Sequence, residues 1–395
     1  MITERDFVFT GMQPWDISIG SNAKDIALEV SKNNRVLYIN TPLDKKTLWK
    51  GENTIEFQQR KNVINGKSKT LRQINQNLWV LDYPFSILPI NFLPDGVLFD
   101  FFNRRNNKKM YKFVRKILKE IKFEKYILFI DNDIYRSFYA PDFLHPTLSI
   151  YYRRDNMKSL FWQKHAPRLE PLLWQKSNLI VANSPQLAEA AKTNNIHSYD
   201  IGQGVDLTNY RTDRVYPVPE DIKNIPKPII GYVGWVTSRM LDADLLYNIA
   251  NSCKDYSFVI VGGEDEMFRK HELHMLNNVH FLGPKEQSET IAYIAHFDVC
   301  INPQKINEIT IGNYPRKVDE YLALGKPVVA TKTQTMEIFA DYVWNCIGVE
   351  EYVLGIKESL QQNSPQIINE RILFAHTHTW SNSVNKLYNC IENVK

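Results

Sequence analysis

Residues 313–330 read NYPRKVDEYLALGKPVVA, and the organisation of the chain can be followed outward from this stretch. The pattern predicts a helix over 314–324 that has Asn313 near its N-cap, Pro315 in its first turn and Gly325 just past its end. An apolar strand over 327–330 follows at once. A helix joined closely to a buried strand is the repeating unit of a parallel α/β sheet.

Nine more short apolar runs are predicted as strands, and small or polar turn residues follow each of them. They cover residues 6–10, 35–39, 126–130, 147–152, 178–182, 229–233, 257–261, 279–282 and 297–301. Because these runs are apolar throughout, they are typical of strands that are buried on both faces of a parallel sheet. The sequence therefore predicts an α/β protein with two doubly wound, Rossmann-like domains that face each other across a cleft.

The 395-residue length fits two domains, each with its own core. A proline-rich segment at 210–228 is predicted to link an N-terminal domain, 1–209, to a C-terminal domain, 229–378. The composition, with 44% hydrophobic residues and a net charge of +4, argues against a disordered chain, an integral membrane protein and a nucleic-acid-binding protein. Four dispersed cysteines and an N-terminus without a secretory signal pattern favour the cytoplasm.

The predicted helix at 314–324 carries a candidate phosphate site. Arg316 and Lys317 lie in its first turn, where the helix dipole disfavours cations, so an anion is expected there. Glu320 shares the helix face of Lys317, and its carboxylate can accept hydrogen bonds from the two vicinal hydroxyls of a ribose. The alternative is an ordinary lysine–glutamate pair on a solvated helix.

This segment resembles the donor-site signature of glycosyltransferases with the two-Rossmann-domain B fold, in particular the group-1, family-4-like bacterial enzymes that assemble cell-surface polysaccharides. Further stretches resemble pieces that the family places in the same order. They are NSPQLA (183–188), GQGVD (202–206), NVHFLGPK (278–285), FDV (297–299) and GKPVVA (325–330). The resemblance extends over most of the chain.

The resemblance implies that the C-terminal domain holds a nucleoside-diphosphate sugar and the N-terminal domain an acceptor. Lys317 would contact the diphosphate and Glu320 the ribose. The other implied donor-binding residues are Gly234, Thr237, Ser238, Arg239, Gly283, Tyr314, Pro315 and Arg316. The fold also implies that the C-terminal helix, within 379–395, crosses back to the N-terminal domain. No cofactor is expected, since the nucleotide sugar is a co-substrate.

One departure from the family leaves the stereochemistry open. Its retaining members carry two glutamates eight positions apart, but Gly312 stands eight positions before Glu320, and Glu308 is out of register. An inverting transfer needs a general base. Asp155 is the candidate, because its loop resembles the one that bears the catalytic aspartate of the inverting xanthan glucuronosyltransferase. A helix N-cap is the alternative role for Asp155.

A transfer without a metal is expected, and the negative charge that forms on the leaving diphosphate must then meet Lys317, Arg239 and helix N-termini. Asp131 and Asp133 spell an Asp-x-Asp, which holds a divalent metal in another glycosyltransferase fold. Here the pair is interpreted instead as a loop cap or as contacts to acceptor hydroxyls. No histidine or cysteine spacing suggests a metal site.

The acceptor is expected to meet loops that follow strands of the N-terminal domain. The candidate acceptor-binding residues are Gly11, Gln13, Trp15, Asp133, Arg153 and Arg154. Trp15 could stack on a sugar or could belong to a buried tight turn. The arginines could hold a charged acceptor or pair with Asp155. His165 and Glu170 are predicted on a solvated face.

Residues 104–125 combine ten Lys or Arg residues with an apolar helical face. They are interpreted either as a packing helix with a solvated basic back or as a surface that binds anionic lipid at the inner face of the plasma membrane. The membrane interpretation would favour a lipid-linked acceptor over a soluble carbohydrate.

The function predicted from the sequence is transfer of a sugar from a nucleotide donor to a carbohydrate or lipid-linked acceptor. Two alternatives stay open: a sugar-nucleotide epimerase of the same fold and a catalytically inactive nucleotide-sugar-binding subunit. A dehydrogenase is disfavoured because no Gly-x-Gly-x-x-Gly follows the first strand of either domain.

Overall fold

The chain forms two compact units in a computed structural model that describes residues 2–17, 20–155, 157, 163–307, 310 and 314–394. The first unit combines Met1–Gly202 with Trp380–Lys395, and the second is Gln203–Thr379. Residues 210–228, predicted as a linker, belong to the second unit, where Tyr210 and Ile222 are buried in the core.

The first unit is built on an eight-stranded sheet in the order β3-β4-β2-β1-β5-β6-β7-β8. The strands are β1 (Asp6–Gly11), β2 (Arg35–Ile39), β3 (Leu71–Asn75), β4 (Leu78–Leu81), β5 (Tyr126–Asp131), β6 (Leu148–Arg153), β7 (Leu179–Ala182) and β8 (Ser198–Asp200). Only the β3–β4 pair is antiparallel among the described strands of this sheet. Because β1 lies between β2 and β5, the strand order reverses there, and the carboxyl ends of β1 and β5 flank the position where such sheets bind ligands.

The second unit has a six-stranded parallel sheet in the order β11-β10-β9-β12-β13-β14. Its strands are β9 (Ile229–Val233), β10 (Ser257–Val261), β11 (Val279–Phe281), β12 (Val299–Asn302), β13 (Val328–Thr331) and β14 (Val343–Cys346). The strand order reverses between β9 and β12. Two doubly wound parallel sheets confirm the predicted α/β fold class.

Helices cover both faces of each sheet. They are α1 (Asn22–Ser31), α2 (Lys45–Lys50), α3 (Ile55–Ile64), α4 (Val97–Glu120), α5 (Ala140–Leu144), α6 (Ala166–Lys176), α7 (Pro185–Lys192), α8 (Ala243–Ser252), α9 (Glu266–Arg269), α10 (Gln287–His296), α11 (Arg316–Ala323), α12 (Gly348–Gln361), α13 (Pro365–Ala375) and α14 (Trp380–Val394). In the first unit, Val8 of β1 packs into one apolar core, and its neighbours Phe7 and Phe9 pack into the core on the opposite face. Alternate side chains are thus buried on both faces, as the uniformly apolar runs indicate.

Helix α4 begins at Val97, seven residues before the basic 104–125 segment, and ends at Glu120. Three asparagines lie on its buried face along with the apolar residues, namely Asn103, Asn106 and Asn107. Asn106 accepts from the backbone N–H of Leu88 at 3.1 Å and donates to the Leu88 carbonyl at 2.9 Å. No helix among the described residues is long and apolar enough to cross a membrane.

Candidate functional site

The N-terminal turn of α11 carries the predicted phosphate-binding cations. The helix begins at Arg316, and Pro315 occupies the N-cap position rather than the first turn. The predicted N-cap Asn313, Gly312 and the out-of-register Glu308 lie outside the described residues. Within the described chain neither Arg316 nor Lys317 forms a salt bridge, so two cations stand at the positive end of a helix without a carboxylate bound to them.

Lys317 rests on Tyr232 of β9. Its Nζ lies 2.5 Å from the Tyr232 hydroxyl and 4.1 Å from the centre of the tyrosine ring. Tyr232 is only 1% exposed, and its hydroxyl donates to the carbonyl of Trp235 at 3.1 Å. The buried tyrosine therefore fixes the ammonium group of Lys317 beside the turn that follows β9.

Two glycines let the turns after β9 and β10 approach each other. A Cβ on Gly262, whose φ is +154°, would lie 1.9 Å from the carbonyl oxygen of Gly234. A Cβ on Gly234, whose φ is +141°, would lie 2.9 Å from Nζ of Lys317. The N–H of Gly262 also donates to the carbonyl of Gly283, which ties in the turn after β11. The turns after β9, β10 and β11 are thereby brought together, and the first of them lies against Lys317.

Glu320 lies one turn after Lys317 on α11 and is half-buried. Burial raises the pKa of its carboxyl, and the nearby charges of Arg316 and Lys317 oppose that rise. The hydroxyl of the buried Tyr210 is its hydrogen-bond partner. The described structure thus brings Lys317 and Glu320 together on one helix face.

The turn after β9 holds the other predicted donor-binding residues. Ser238 is bound to Asp265, which accepts from both its N–H and its hydroxyl at 2.8 Å. The backbone carbonyl of Thr237 closes the turn by accepting from Met240 and Leu241. Arg239 has an exposed side chain, and its carbonyl accepts from Asn307.

Sequence analysis missed the contacts that anchor α11. Asp319 is fully buried and accepts from Nδ1 of His378 at 2.7 Å, and the Tyr314 hydroxyl lies 3.1 Å from the same nitrogen. Burial raises the pKa of the Asp319 carboxyl, and His378 opposes that rise. The Tyr314 ring packs against Phe339. Tyr314, predicted to bind the donor, thus helps to fix the helix.

Asp155 follows β6 in the first unit and is part of a chain of charges. Arg154 donates from Nε to Asp131 at 2.9 Å and from Nη1 to Asp155. Asp131 is 1% exposed, and its second carboxylate oxygen has no partner among the described residues. Burial raises the pKa of Asp131, which Arg154 opposes. The side chain of Asp155 is 48% exposed, which leaves it open to solvent.

Asp133 is occupied by its own turn. Its carboxylate accepts from the N–H groups of Tyr135 and Arg136 and from the hydroxyl of Ser137, at 3.0–3.3 Å, and Asp133 is 1% exposed. This geometry is that of a loop cap. Gly11 lies at the end of β1, where a Cβ would approach the Cβ of Asp131 to 2.5 Å.

Other predicted acceptor-binding residues point inward. Trp15 is 8% exposed and packs edge-on against Tyr38, as in the tight-turn alternative. Gln13 accepts from the Tyr38 hydroxyl through its backbone carbonyl, and its side-chain oxygen is buried without a described partner. Arg153 is buried and contacts Glu170 at 3.3 Å and the Leu187 carbonyl at 3.0 Å.

His165 and Glu170 correct the predicted solvated face, since both are buried. Glu170 compensates the charge of Arg153, and His165 lies 3.0 Å from Asp95. In the sequence both positions look polar, and only the three-dimensional pairing shows why they are inside. Within the described residues, no group of three or more His, Cys, Asp or Glu side chains could hold a metal ion.

Comparison with known proteins locates the family signal in the second unit. Residues 227–353 match the family model described as glycosyl transferases group 1. The chain is 25% identical over 243 residues to a Bacillus subtilis (strain 168) protein named "Putative teichuronic acid biosynthesis glycosyltransferase TuaH". That alignment covers 58% of this chain and 60% of the relative, so it spans less than two thirds of the relative's length.

Solved structures match almost the whole chain. Sucrose-phosphate synthase from Thermosynechococcus elongatus has a TM-score of 0.66 at 12% identity, with 99% of both chains covered. HepE from Anabaena, solved with UDP, has a TM-score of 0.64 at 16% identity, covering 98% of this chain and 100% of its own. The chain therefore has the B fold of glycosyltransferases, and residues 227–353 in its second unit match the group 1 family model.

Proposed function

We propose that the chain transfers a sugar from a nucleoside-diphosphate donor to a carbohydrate or lipid-linked acceptor in the assembly of a surface polysaccharide or glycan. The observation that carries the proposal is Lys317, a cation at the start of α11 that Tyr232 fixes beside the glycine turns after β9 and β10. HepE, which shares the fold, binds UDP and UDP-glucose. The relative from Bacillus subtilis is named for teichuronic acid biosynthesis.

Each donor-binding role follows from the chemistry of the side chain. The ammonium of Lys317, which has no salt bridge among the described residues, and the exposed guanidinium of Arg239 complement the two phosphates. The carboxylate of Glu320, already near a hydroxyl donor in Tyr210, can accept from the ribose. The turns at Gly234, Thr237, Ser238 and Gly283 bring backbone close to the nucleotide, because a side chain is missing at both glycines.

The reaction forms a bond between the acceptor oxygen and the anomeric carbon and breaks the bond from that carbon to the diphosphate. Negative charge then grows on the leaving diphosphate, and Lys317, Arg239 and the N–H groups of α11 stabilise it more in the transition state than in the ground state. We propose that no metal ion takes part. Activity that survives exhaustive chelation supports this, and activity that returns only with added Mg²⁺ or Mn²⁺ contradicts it.

For an inverting transfer, the proposed base is Asp155. Its side chain is 48% exposed. Arg154, which is held by the buried Asp131, donates a hydrogen bond to Asp155 and orients it. It would take the proton of the acceptor hydroxyl during attack. The anomeric configuration of the product, followed by proton NMR from a donor of known configuration, separates inversion from retention. Retention would remove the need for this base.

The test of the function is a thermal-shift panel of nucleotides and nucleotide sugars, followed by product analysis with the best donor. A ligand that binds only the folded state raises the melting temperature. We expect a nucleoside diphosphate and its sugar to raise it more than a nucleoside does. An isomerised donor without transfer would indicate the epimerase, and binding without turnover on any acceptor would indicate an inactive subunit.

We further propose that the first unit contacts an anionic membrane at the inner face of the plasma membrane. Four large apolar side chains at the start of α4 and just before it are exposed: Phe92 (71%), Val97 (87%), Leu98 (51%) and Phe101 (61%). Basic residues of the 104–125 segment follow them along the same helix, and apolar plus cationic side chains are what an anionic bilayer binds.

Liposome flotation with and without anionic lipid tests the membrane contact. We expect the paired substitution Val97→Ser and Phe101→Ser to reduce binding to anionic vesicles. The matched control is Ile196→Ser, since Ile196 is 78% exposed but lies outside α4. Failure of the unsubstituted chain to float with either vesicle would refute the proposal.

A further inference from the structure

A cavity of about 520 Å³ opens beside β14, the edge strand of the six-stranded sheet. Its walls come from β14, α12, α13 and the short turn at 335–339. Arg371 in this wall donates to the carbonyl of Gly325, just beyond the C-terminal end of α11, at 3.3 Å. The cavity therefore lies at the opposite end of α11 from Lys317, and its volume is within the roughly 300–1,000 Å³ range of small-molecule sites.

Two deeply buried polar side chains in the wall each have one atom without a partner among the described residues. Arg371 is 6% exposed, and Nη1 donates to Asn363 at 2.7 Å, but Nε has no acceptor. Ser359 is 2% exposed, and its hydroxyl has no partner. No carboxylate of the described chain forms a salt bridge with Arg371. Both of these atoms are shielded from solvent, so the ligand of the cavity is decided by the wall residues that remain accessible.

The other wall residues indicate the kind of ligand. Alongside Arg371 and Lys332, the cavity is lined by four carboxylates and two amides, namely Glu337, Asp341, Glu358, Glu370, Asn345 and Gln362. Carboxylates accept hydrogen bonds, guanidinium and ammonium groups donate them, and amides do both, so together they suit hydroxyl groups, which do both as well. Two cations against four carboxylates disfavour a phosphate or another anion.

An aromatic residue completes the set. Trp344 of β14 lines the cavity and is 41% exposed, so part of its side chain is accessible to a ligand. An indole face packs well on the C–H face of a sugar ring, while its polar neighbours bind the hydroxyls at the ring edge. Hydroxyl partners around an exposed aromatic ring are what an uncharged carbohydrate needs.

We propose that this cavity binds a neutral carbohydrate chain at a site separate from the donor site. The inference rests on the proposed function, because a sugar transferase has such a chain as acceptor or product. A second attachment would keep the growing chain near the enzyme between transfers and raise its effective concentration. The enzyme would then add several sugars to one chain before releasing it.

The test measures binding of tetrasaccharides of glucose, galactose and N-acetylglucosamine, and of a tetrasaccharide of uronic acid, to the full chain by calorimetry. We expect at least one neutral chain to bind, and Trp344→Ala to weaken that binding about tenfold. Asp341→Ala, at an exposed position in the wall, is the second variant and should weaken it several-fold. Glu350→Gln, an exposed change on α12 outside the cavity, is the matched control and should bind as the unsubstituted chain does.

Nucleotide binding is measured on the same samples, so that failure of the two proposals can be told apart. We expect Trp344→Ala to bind nucleoside diphosphate normally and Lys317→Ala to bind the neutral tetrasaccharide normally. Binding of no neutral chain, binding of the acidic chain alone, or equal affinity in Trp344→Ala would overturn the carbohydrate site while leaving the donor site intact.

Discussion

The ammonium group of Lys317 lies 2.5 Å from the hydroxyl of Tyr232 and 4.1 Å from the centre of its ring, so a side chain near the carboxyl end of β9 fixes a side chain from the first turn of α11. Without a bound anion this arrangement holds a cation against the positive end of a helix dipole. The position costs stability until an anion arrives, which is expected of a residue kept for binding rather than for folding.

Lys317→Ala is therefore expected to lower kcat/KM by about 100-fold or more, as the removal of one pre-positioned transition-state donor does. Its free energy of unfolding should change by no more than about 1 kcal/mol, because the lysine is only partly buried. Steady-state kinetics and urea unfolding measure the two effects. The matched control is Lys357→Ala, at an exposed lysine of α12. Unchanged activity in Lys317→Ala would rule out the assignment of this residue.

Gly262→Ala is expected to unfold or severely destabilise the second unit. The added Cβ would lie 1.9 Å from the carbonyl of Gly234, and the φ of +154° disfavours any side chain. Gly348→Ala is the matched control, because Gly348 has a φ of +77° but no atom within 4 Å of the added Cβ. That control should lose only about 1 kcal/mol. Thermal melts compare the two, and equal losses would show that backbone conformation alone matters.

Glu170→Gln is expected to reduce the free energy of unfolding by about 3–5 kcal/mol, since it leaves the buried Arg153 without its carboxylate. The two side chains are 8% and 7% exposed and lie 3.3 Å apart. Glu189→Gln is the control: Glu189 pairs with Lys192 at the surface of α7, and its loss should cost less than about 0.5 kcal/mol. Chemical unfolding measures both. Similar values for the two variants would mean that the inner pair contributes no more than the surface pair.

The Asp133→Asn substitution is expected to change how the melting temperature depends on pH. Burial raises the pKa of Asp133, and Arg136 and its hydrogen bonds oppose that rise. A folded-state pKa above the unfolded value contributes stability that is present at low pH and is lost as the pH rises through the folded pKa. Asparagine does not titrate, so the variant does not lose this stability. Its melting temperature should therefore rise relative to that of the parent chain from about pH 4 towards neutrality.

Asp142→Asn is the control for this comparison, because Asp142 has a side chain that is 48% exposed and pairs with Lys176. It should show no such gain. A gain of the parent chain over Asp133→Asn with rising pH would mean that the carboxylate form, rather than the acid, is stabilised in the turn.

The sequence predicted the central strands of the two sheets better than the strands at their edges. The ten predicted strands all appear, whereas β3, β4, β8 and β14 were missed. Three of these four lie at the edge of a sheet. An edge strand has a neighbouring strand on one side only, so it is less enclosed and need not be apolar throughout. β3, with the sequence LRQIN, exposes its last three residues, Gln73, Ile74 and Asn75, and β8 has only three residues. The position of such strands is determined by the strand with which they pair, and it cannot be predicted from their own composition.

The same distinction applies to the candidate site. The spacing of Lys317 and Glu320 was visible because residues three apart share a helix face. The contact of Asp319 with His378 joins positions 59 residues apart, and that of Lys317 with Tyr232 joins positions 85 apart. Local periodicity contains no information on such pairs. Trp15 and Arg153 look available in the sequence, yet the structure uses them as internal packing groups.

Helix α14 gives the first unit an order of assembly that its position in the chain does not suggest. Trp380, Leu387 and Ile391 fill the same apolar core as Phe7 and Phe9 of β1. During synthesis these residues leave the ribosome only after the whole of Gln203–Thr379. The second unit is continuous in sequence and can finish folding while the ribosome is still at work, as domains generally do. The first unit is synthesised earlier, but one of its two apolar cores cannot be completed until α14 has been synthesised.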